Sequence, residues 1–136
     1  MEPTQKSPST LSLLVVEDDD DAMEVLLLMI PLKYPGITIY TAGNGKNGVE
    51  LFRERMPDIV ITDIMMPEMD GFQMAEEIKS IKGDTRFIVF TGCTSKTDLA
   101  KSSEIGVSDY IVKPIDFNIL FAAIEKCMAE IALKRQ

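Results

Sequence analysis

The sequence has no histidine and only two cysteines among its 136 residues. Without histidine, Ser-His-Asp and Cys-His catalytic arrangements are excluded, and so are zinc sites built on histidine ligands. Cys93 and Cys127 are far apart and do not form a Cys-x-x-Cys spacing. We therefore interpret them as buried, reduced thiols without a redox role.

Long apolar runs and an excess of positive charge are also missing. The longest apolar run, residues 25–30, is far too short to span a bilayer, and residues 1–10 lack the apolar centre of a signal peptide. We expect a cytoplasmic protein with no membrane partner. The net charge of −8 argues against direct binding of nucleic acid and favours a cation or a basic protein surface as partner.

What is present is the composition of one globular domain. The chain is 46% hydrophobic and 26% charged, which is ordinary for a folded protein, and its length suits a single core. We predict that residues 1–10, which include Pro3 and Pro8, form a disordered leader. Residues 11–136 are predicted to form the domain.

Five strand-like apolar runs alternate with five helical patterns along this domain. The strands are predicted at residues 11–16, 37–41, 59–62, 87–90 and 109–112, and the helices at 22–32, 44–55, 70–81, 95–105 and from 116 to the chain end. Pro31 and Pro35 are expected to stop the first helix. The alternation predicts an α/β fold with a parallel sheet covered by helices on both faces.

Chemically active residues follow four of the five predicted strands. They are Glu17 and Asp18, Asp63, Thr91, and Lys113. Because the carboxyl ends of parallel strands share one edge of the sheet, where such folds bind ligands, we expect these side chains to meet. Three converging carboxylates need neutralisation, and oxygen ligands of this kind suit Mg²⁺.

This set of residues fits phosphoryl transfer to a carboxylate. Asp63 is the candidate nucleophile, since carboxylates form covalent phosphoryl intermediates. Lys113 can neutralise a phosphoryl oxygen and Thr91 can donate a hydrogen bond to another. Each residue alone has an ordinary explanation as a helix-terminal acid, a turn residue or a solvated charge. Their joint occurrence at the strand ends favours one site.

The same stretches resemble the receiver domain of two-component response regulators, of the chemotaxis-Y-like kind, across about residues 11–133. Four motifs carry the resemblance, in order: Val15-Val16-Glu17-Asp18-Asp19; Asp58-Ile-Val-Ile-Thr-Asp63-Ile-Met-Met-Pro-Glu-Met-Asp-Gly71; Phe90-Thr91-Gly92; and Asp109-Tyr-Ile-Val-Lys-Pro114. The resemblance implies a doubly wound, flavodoxin-like sheet with strand order 2-1-3-4-5.

The resemblance also implies roles for individual residues. Asp63 would be the phosphoacceptor, and Mg²⁺ would be bound by Asp18, Asp63 and the backbone carbonyl of Met65, with Glu17 close by. Thr91 and Lys113 would bind phosphoryl oxygens. Tyr110 would move with Thr91 as the switch aromatic, and the Lys113–Pro114 bond would be cis.

Such a domain is a signalling phosphoacceptor that assists its own phosphorylation and dephosphorylation, rather than an enzyme with a separate substrate. The resemblance implies a sensor histidine kinase, a histidine phosphotransfer protein or a small phosphodonor as the phosphoryl source. The fourth helix, fifth strand and fifth helix would signal to an effector protein or an attached domain. Phosphorylation-dependent dimerisation is left open. Ile124, Met128 and Ile131 form an apolar seam on the last helix, which we expect to pack on the sheet rather than extend into a longer helix.

Three departures from the family pattern have consequences. Glu17 replaces an aspartate, which should leave the metal site intact, and Gly92 replaces the more usual alanine, which loosens the switch loop. Met65 and Cys93, two residues beyond Asp63 and Thr91, have no polar side chain that would orient a hydrolytic water. We therefore predict a long-lived phosphoryl group.

Three other functions are compatible with part of the sequence. Gly43-x-Gly45-x-x-Gly48 matches a dinucleotide fingerprint, but it follows the second strand rather than the first and leaves the strand-end residues unexplained. A haloacid dehalogenase-like hydrolase would need a second aspartate where Met65 stands. A receiver-like docking module that is never phosphorylated would normally have lost one of the site residues, and none is lost.

Overall fold

The computed structural model describes residues 11–92 and 95–135, so the predicted leader, Cys93 and Gln136 lie outside the described residues. The strands are β1 Ser12–Val16, β2 Thr38–Ala42, β3 Ile59–Asp63, β4 Arg86–Thr91 and β5 Asp109–Val112. The helices are α1 Asp20–Lys33, α2 Gly45–Arg55, α3 Gly71–Ile81, α4 Lys96–Ile105 and α5 Phe117–Lys134. All ten predicted elements are therefore present.

The five strands form one parallel sheet of order β2-β1-β3-β4-β5. The doubly wound, flavodoxin-like fold implied by the resemblance is confirmed. The chain turns outward from β1 in both directions, so β1 and β3 are neighbours although α1, β2 and α2 separate them in sequence. Their carboxyl ends, which carry Glu17 and Asp63, are thereby brought side by side.

The core consists of two main layers, one on each face of the sheet. Leu13 and Val15 belong to the cluster beneath α1 and α5, whereas Leu14 and Val16 belong to the cluster beneath α2 and α3. This division follows from the alternation of side chains along a strand. A parallel sheet covered on both faces requires such continuous apolar strands.

Helix α5 packs on the sheet along its apolar seam. Ile124 and Ile131 are buried in the core cluster, and Met128 packs against it, so the expectation for this seam is confirmed. Cys127 is a free, buried thiol, and burial raises its pKa to about 11. This thiol is therefore protonated at neutral pH, the form in which a cysteine is a poor nucleophile.

Helix α1 contradicts the prediction that Pro31 stops it. The helix runs two residues beyond Pro31 to Lys33, and the backbone N–H of Tyr34 still donates to the carbonyl of Ile30. Proline removes one N–H donor, but Pro31 is exposed and lies near the helix end, where a lost bond can be replaced by solvent. Helix α1 is also apolar on its outer side, with Leu28 61% and Leu32 69% exposed. None of the helices in the described ranges is long and apolar enough to cross a membrane.

Candidate functional site

Asp63 is the last residue of β3, and all five residues of this strand are buried. Only 8% of its side chain is exposed. Strand β3 lies between β1 and β4, so the carboxylate stands at the centre of the carboxyl edge of the sheet. A carboxylate in this environment requires a positive partner or several hydrogen-bond donors.

Lys113, which directly follows β5, provides that partner. Its Nζ lies 2.5 Å from Oδ2 of Asp63. Partial burial by itself lowers the pKa of Lys113, but the hydrogen bond to Asp63 and the charges of Asp63 and Glu17 outweigh it and raise the pKa. The lysine is therefore positively charged at neutral pH. Its backbone N–H donates to the carbonyl of Thr91 at 2.7 Å, which fixes the ends of β4 and β5 together.

Glu17 and Asp18 follow β1 and complete a group of three carboxylates with Asp63. One carboxylate oxygen from each residue lies within 4.8 Å of the others. Glu17 is buried and Asp18 is exposed, so the group opens to solvent on one side. The three acids converge as the sequence predicted. Against the single lysine they leave excess negative charge, and their hard oxygen atoms are the ligands that Mg²⁺ prefers.

The charge at this edge already affects Glu17. Burial, followed by the charges of Asp63 and Asp18, raises the pKa of Glu17. The backbone N–H of Asp19, which donates to Oε2 of Glu17 at 3.1 Å, opposes this change. Removing a carboxylate from water disfavours its charged form, and two neighbouring carboxylates add to that cost. A divalent cation among the three would reverse the balance.

The remaining acids of the run serve α1 instead. The side chain of Asp19 accepts from the backbone N–H groups of Asp21 at 2.9 Å and Ala22 at 3.3 Å, and so caps the helix. Asp20 and Asp21 occupy the first turn, where negative charge is favourable. The acid run is thus divided between the site and the helix.

The loop from β3 to α3 folds back against the phosphoacceptor candidate. The backbone N–H of Met65 donates to Oδ1 of Asp63 at 3.3 Å, and that of Gly71 donates to the carbonyl of Ile64 at 2.8 Å. A Cβ atom at Gly71 would lie 2.5 Å from the carbonyl oxygen of Asp63. No role in the site was predicted for Gly71 itself. It is the last residue of Glu-Met-Asp-Gly and the first residue of α3, and a glycine at this junction of loop and helix was the sequence signal for the close backbone approach.

Thr91 and Tyr110 occupy the neighbouring strands. Thr91 ends β4 and is buried. Tyr110 lies on β5 opposite Val89 and packs against the small buried cluster of Ile64, Phe72 and Val89. Its hydroxyl is buried with no hydrogen-bond partner among residues 11–92 and 95–135. The Lys113–Pro114 bond next to the site is cis.

Two of the three glycines of the dinucleotide-like motif serve packing in this structure. A Cβ atom at Gly45 would lie 2.8 Å from the carbonyl oxygen of Met69, and one at Gly48 would lie 2.8 Å from the sulfur of Met74. Both glycines therefore let α2 approach α3 and the loop before it. The motif follows β2, the outermost strand, rather than the central crevice in which a dinucleotide binds.

Comparisons with known proteins agree with this geometry. Residues 13–125 match the family model described as response regulator receiver domain. The chain is 34% identical over 119 residues to the transcriptional regulatory protein ZraR of Escherichia coli O157:H7, a match that covers 88% of this chain and 26% of that protein. It is 34% identical over 113 residues to the transcriptional regulatory protein AfsQ1 of Streptomyces coelicolor, covering 83% of this chain and 49% of that protein. The chain thus spans about a quarter to a half of these relatives.

Solved structures give the same result. The N-terminal domain of an uncharacterized protein from Wolinella succinogenes is 34% identical, with a TM-score of 0.82, and the match covers 93% of this chain and all of that one. A response regulator receiver domain protein from Clostridium thermocellum is 27% identical, with a TM-score of 0.80 over 90% of this chain and 98% of that chain.

Proposed function

Because this chain belongs to the family of response regulator receiver domains, we propose that Asp63 accepts a phosphoryl group in a two-component system. The observation that carries the proposal is the buried carboxylate at the centre of the carboxyl edge, ion-paired with Lys113 at 2.5 Å and grouped with two further carboxylates. A structural ion pair would not need the two additional acids beside it.

In the proposed reaction a carboxylate oxygen of Asp63 attacks the phosphorus of the donor. An acyl-phosphate bond forms while the bond from phosphorus to the donor nitrogen or oxygen breaks, and the leaving group takes up a proton from solvent. Phosphoryl transfer needs positioning and neutralisation of spreading negative charge more than covalent assistance. Lys113 is already beside Asp63 to neutralise one phosphoryl oxygen, and Thr91, on the adjacent strand end, donates to another.

Glu17, Asp18 and Asp63 would hold Mg²⁺, together with the backbone carbonyl of Met65. The fit rests on three carboxylate oxygens within 4.8 Å of one another and on the raised pKa of Glu17, which burial and its acidic neighbours cause. The bound ion would supply charge neutralisation for the incoming phosphoryl group. Met65 follows Asp63 closely enough for its backbone to reach the same edge, since its N–H already contacts Asp63.

The output of the domain is proposed to be the face formed by α4, β5 and α5. Thr91 and Tyr110 would act as the switch that links the phosphoryl group to this face, because β4 and β5 are paired directly between them. Phosphoryl groups would come from a sensor histidine kinase, a histidine phosphotransfer protein or a small phosphodonor in the cytoplasm. The curated relatives are longer than this chain, so the receiver of the signal is either an attached domain or a separate effector.

Intact mass after incubation with acetyl phosphate tests the proposal. We expect the wild-type protein to gain one phosphoryl group only with Mg²⁺, Asp63→Asn to gain none, and Asp18→Asn to gain far less. Asp84→Asn, which removes a half-buried acid at the opposite edge of the sheet, is the matched control and should behave as wild type. If the wild type takes up no phosphoryl group and binds no BeF₃⁻, the chain is a receiver-like docking module instead.

A further inference from the structure

Met65 is the most exposed methionine of the described residues. It is 73% exposed, and of the other methionines in the described ranges only Met56 is exposed, at 43%. By contrast Met66, the next residue, is 8% exposed, and Met74 is fully buried. Peroxides oxidise thioethers that they can reach, so exposure makes Met65 the preferred target among the methionines of residues 11–92 and 95–135.

Met65 also lies at the phosphoacceptor. Its backbone N–H donates to Oδ1 of Asp63 at 3.3 Å, and its side chain lines an open cleft of about 440 Å³ with Met66, Pro67 and Asp70. Solvent therefore reaches Met65, two residues from Asp63. In this cleft Met65 provides a thioether, which orients water poorly because sulfur is a weak hydrogen-bond acceptor.

We propose that Met65 is a reversible oxidation site and that its oxidation shortens the lifetime of the phosphoryl group on Asp63. This inference rests on the proposed function. The domain would then report two inputs, a phosphodonor at Asp63 and a peroxide at Met65, two residues further along the chain.

The oxidation is a two-electron oxygen transfer. The thioether sulfur attacks one oxygen of hydrogen peroxide, the O–O bond breaks, and the products are methionine sulfoxide and water. Sulfur is oxidised and peroxide is reduced, so no further reactant is needed. Methionine sulfoxide reductases reverse the change.

The sulfoxide changes what the side chain can do in the later hydrolysis. Its polar oxygen is a strong acceptor, whereas the thioether is not. In hydrolysis a water oxygen attacks phosphorus and the bond from phosphorus to Asp63 breaks, which regenerates the carboxylate and releases phosphate. A sulfoxide oxygen two residues from Asp63 can hold that water in place. The attacking water is then positioned before it reacts and does not have to arrive by random collision.

The first measurement is peptide mapping after a short treatment with hydrogen peroxide, followed by dithiothreitol to restore oxidised thiols. We expect sulfoxide at Met65 several-fold ahead of Met56 and well ahead of Met66 and Met74. Equal oxidation of Met65 and Met74 would overturn the assignment, because it would mean that the fold gives Met65 no preference.

The second measurement is the decay of phosphorylated protein, prepared with acetyl phosphate and Mg²⁺, before and after peroxide. The oxidised wild type should lose its phosphoryl group several-fold faster. Met65→Leu, which keeps the apolar volume but cannot form the sulfoxide, should be insensitive to peroxide. Met65→Gln, which carries a polar oxygen permanently, should decay fast without peroxide.

The outcomes separate this inference from the proposed function. If the untreated wild type forms no adduct at Asp63, the proposed function fails and this inference with it. If it forms the adduct but oxidation leaves the lifetime unchanged, or shortens it equally in Met65→Leu, only the role of Met65 is overturned.

Discussion

The two edges of the sheet differ in their balance of acidic and basic residues. At the amino edge, Asp58 pairs with Arg135 at 2.6 Å and Asp84 lies 2.7 Å from Lys82 and 3.5 Å from Lys134. Glu130, on the last turns of α5, lies 3.5 Å from Arg86. At the carboxyl edge, three carboxylates share one lysine. The first edge is balanced, whereas the second is short of positive charge.

Asp58 and Asp63 show what this difference means, because they stand just before and at the end of the same strand. The carboxylate of Asp58 is nearly saturated: Oδ1 accepts from Arg135 and Oδ2 accepts from the backbone N–H of Ser12 at 2.9 Å. Asp63 has Lys113 and a long contact from the N–H of Met65. A carboxylate whose oxygens are all hydrogen-bonded or ion-paired stabilises the fold. A carboxylate surrounded by other carboxylates is not fully neutralised, so it can still bind a cation or react.

The largest expected effect is a difference in the free energy of unfolding between variants of these two aspartates. Asp58→Asn should lower the free energy of unfolding by about 1–3 kcal/mol, because it weakens charge-assisted hydrogen bonds that join β1, β3 and α5. Asp63→Asn should change it less, since the lost attraction to Lys113 is offset by lost repulsion from Glu17 and Asp18. Urea denaturation without Mg²⁺ measures both. A larger loss for Asp63→Asn would contradict the comparison.

Acidification should have opposite effects on the folding stability contributed by the two edges of the sheet. The pKa of Glu17 is raised by burial, so its contribution to stability is full below its ordinary pKa and is lost as pH rises through the raised value. The pKa of Asp84 is lowered, first by the hydrogen bond from Lys82, so its contribution is full above its ordinary pKa and is lost as pH falls through the lowered value.

Two variants measure this contrast. At neutral pH in the presence of a chelator, Glu17→Gln should be more stable than wild type, and Asp84→Asn should be slightly less stable because Asp84 is partly solvated. Both differences in stability from wild type should shrink on acidification. The difference for Glu17→Gln should disappear as the pH falls towards the ordinary pKa of Glu17. The difference for Asp84→Asn should disappear only as the pH falls below the ordinary pKa of Asp84. Thermal unfolding monitored across the acid range gives the comparison. Parallel pH profiles for the two variants would show that the edges do not differ in this way.

The smallest expected effect concerns backbone strain, which both edges share. Met56, before the amino end of β3, has φ 46°, and Glu68, in the loop after Asp63, has φ 67°. Glycine at either position should stabilise the protein by about 0.5–1 kcal/mol, less than the strain relieved because glycine also loosens the unfolded chain. Alanine at the same positions keeps the strain and is the control. Equal stability of the glycine and alanine variants would mean that neither position is strained.

Sequence patterns were sufficient for the sheet and for the position of the site. The carboxyl ends of parallel strands meet at one edge of the sheet, whatever conformation the loops adopt. The positions directly at or after the strand ends therefore predicted the location of Glu17, Asp18, Asp63 and Lys113. They could not specify the contact of Lys113 with Asp63, which spans 50 residues. The pairing of Asp58 with Arg135 spans 77 residues and depends on where α5 ends. Local patterns contain no information on such distances.

Local rules failed where tertiary context was decisive. Pro31 is a helix breaker by propensity, yet it lies near the end of α1 on an exposed side, where the cost of a missing donor is small. The glycines at positions 45 and 48 matched a ligand-binding motif, but their neighbours show that they allow close helix packing. The position of the motif after the second strand argued against a ligand site there, and the packing contacts of these two glycines agree with that argument.

Strand β3, buried along its whole length, has a further consequence for protein engineering. From Asp58 to Asp63 the extended backbone spans about 17 Å at 3.3 Å per residue, and β3 lies between two paired neighbours that prevent it from bending. Tags, linkers or fusion partners attached near the amino edge would therefore be insulated from the carboxylates at the far end. Substitutions at that edge are limited only by their effect on folding. A biosensor built there would leave the carboxylates of the opposite edge unchanged.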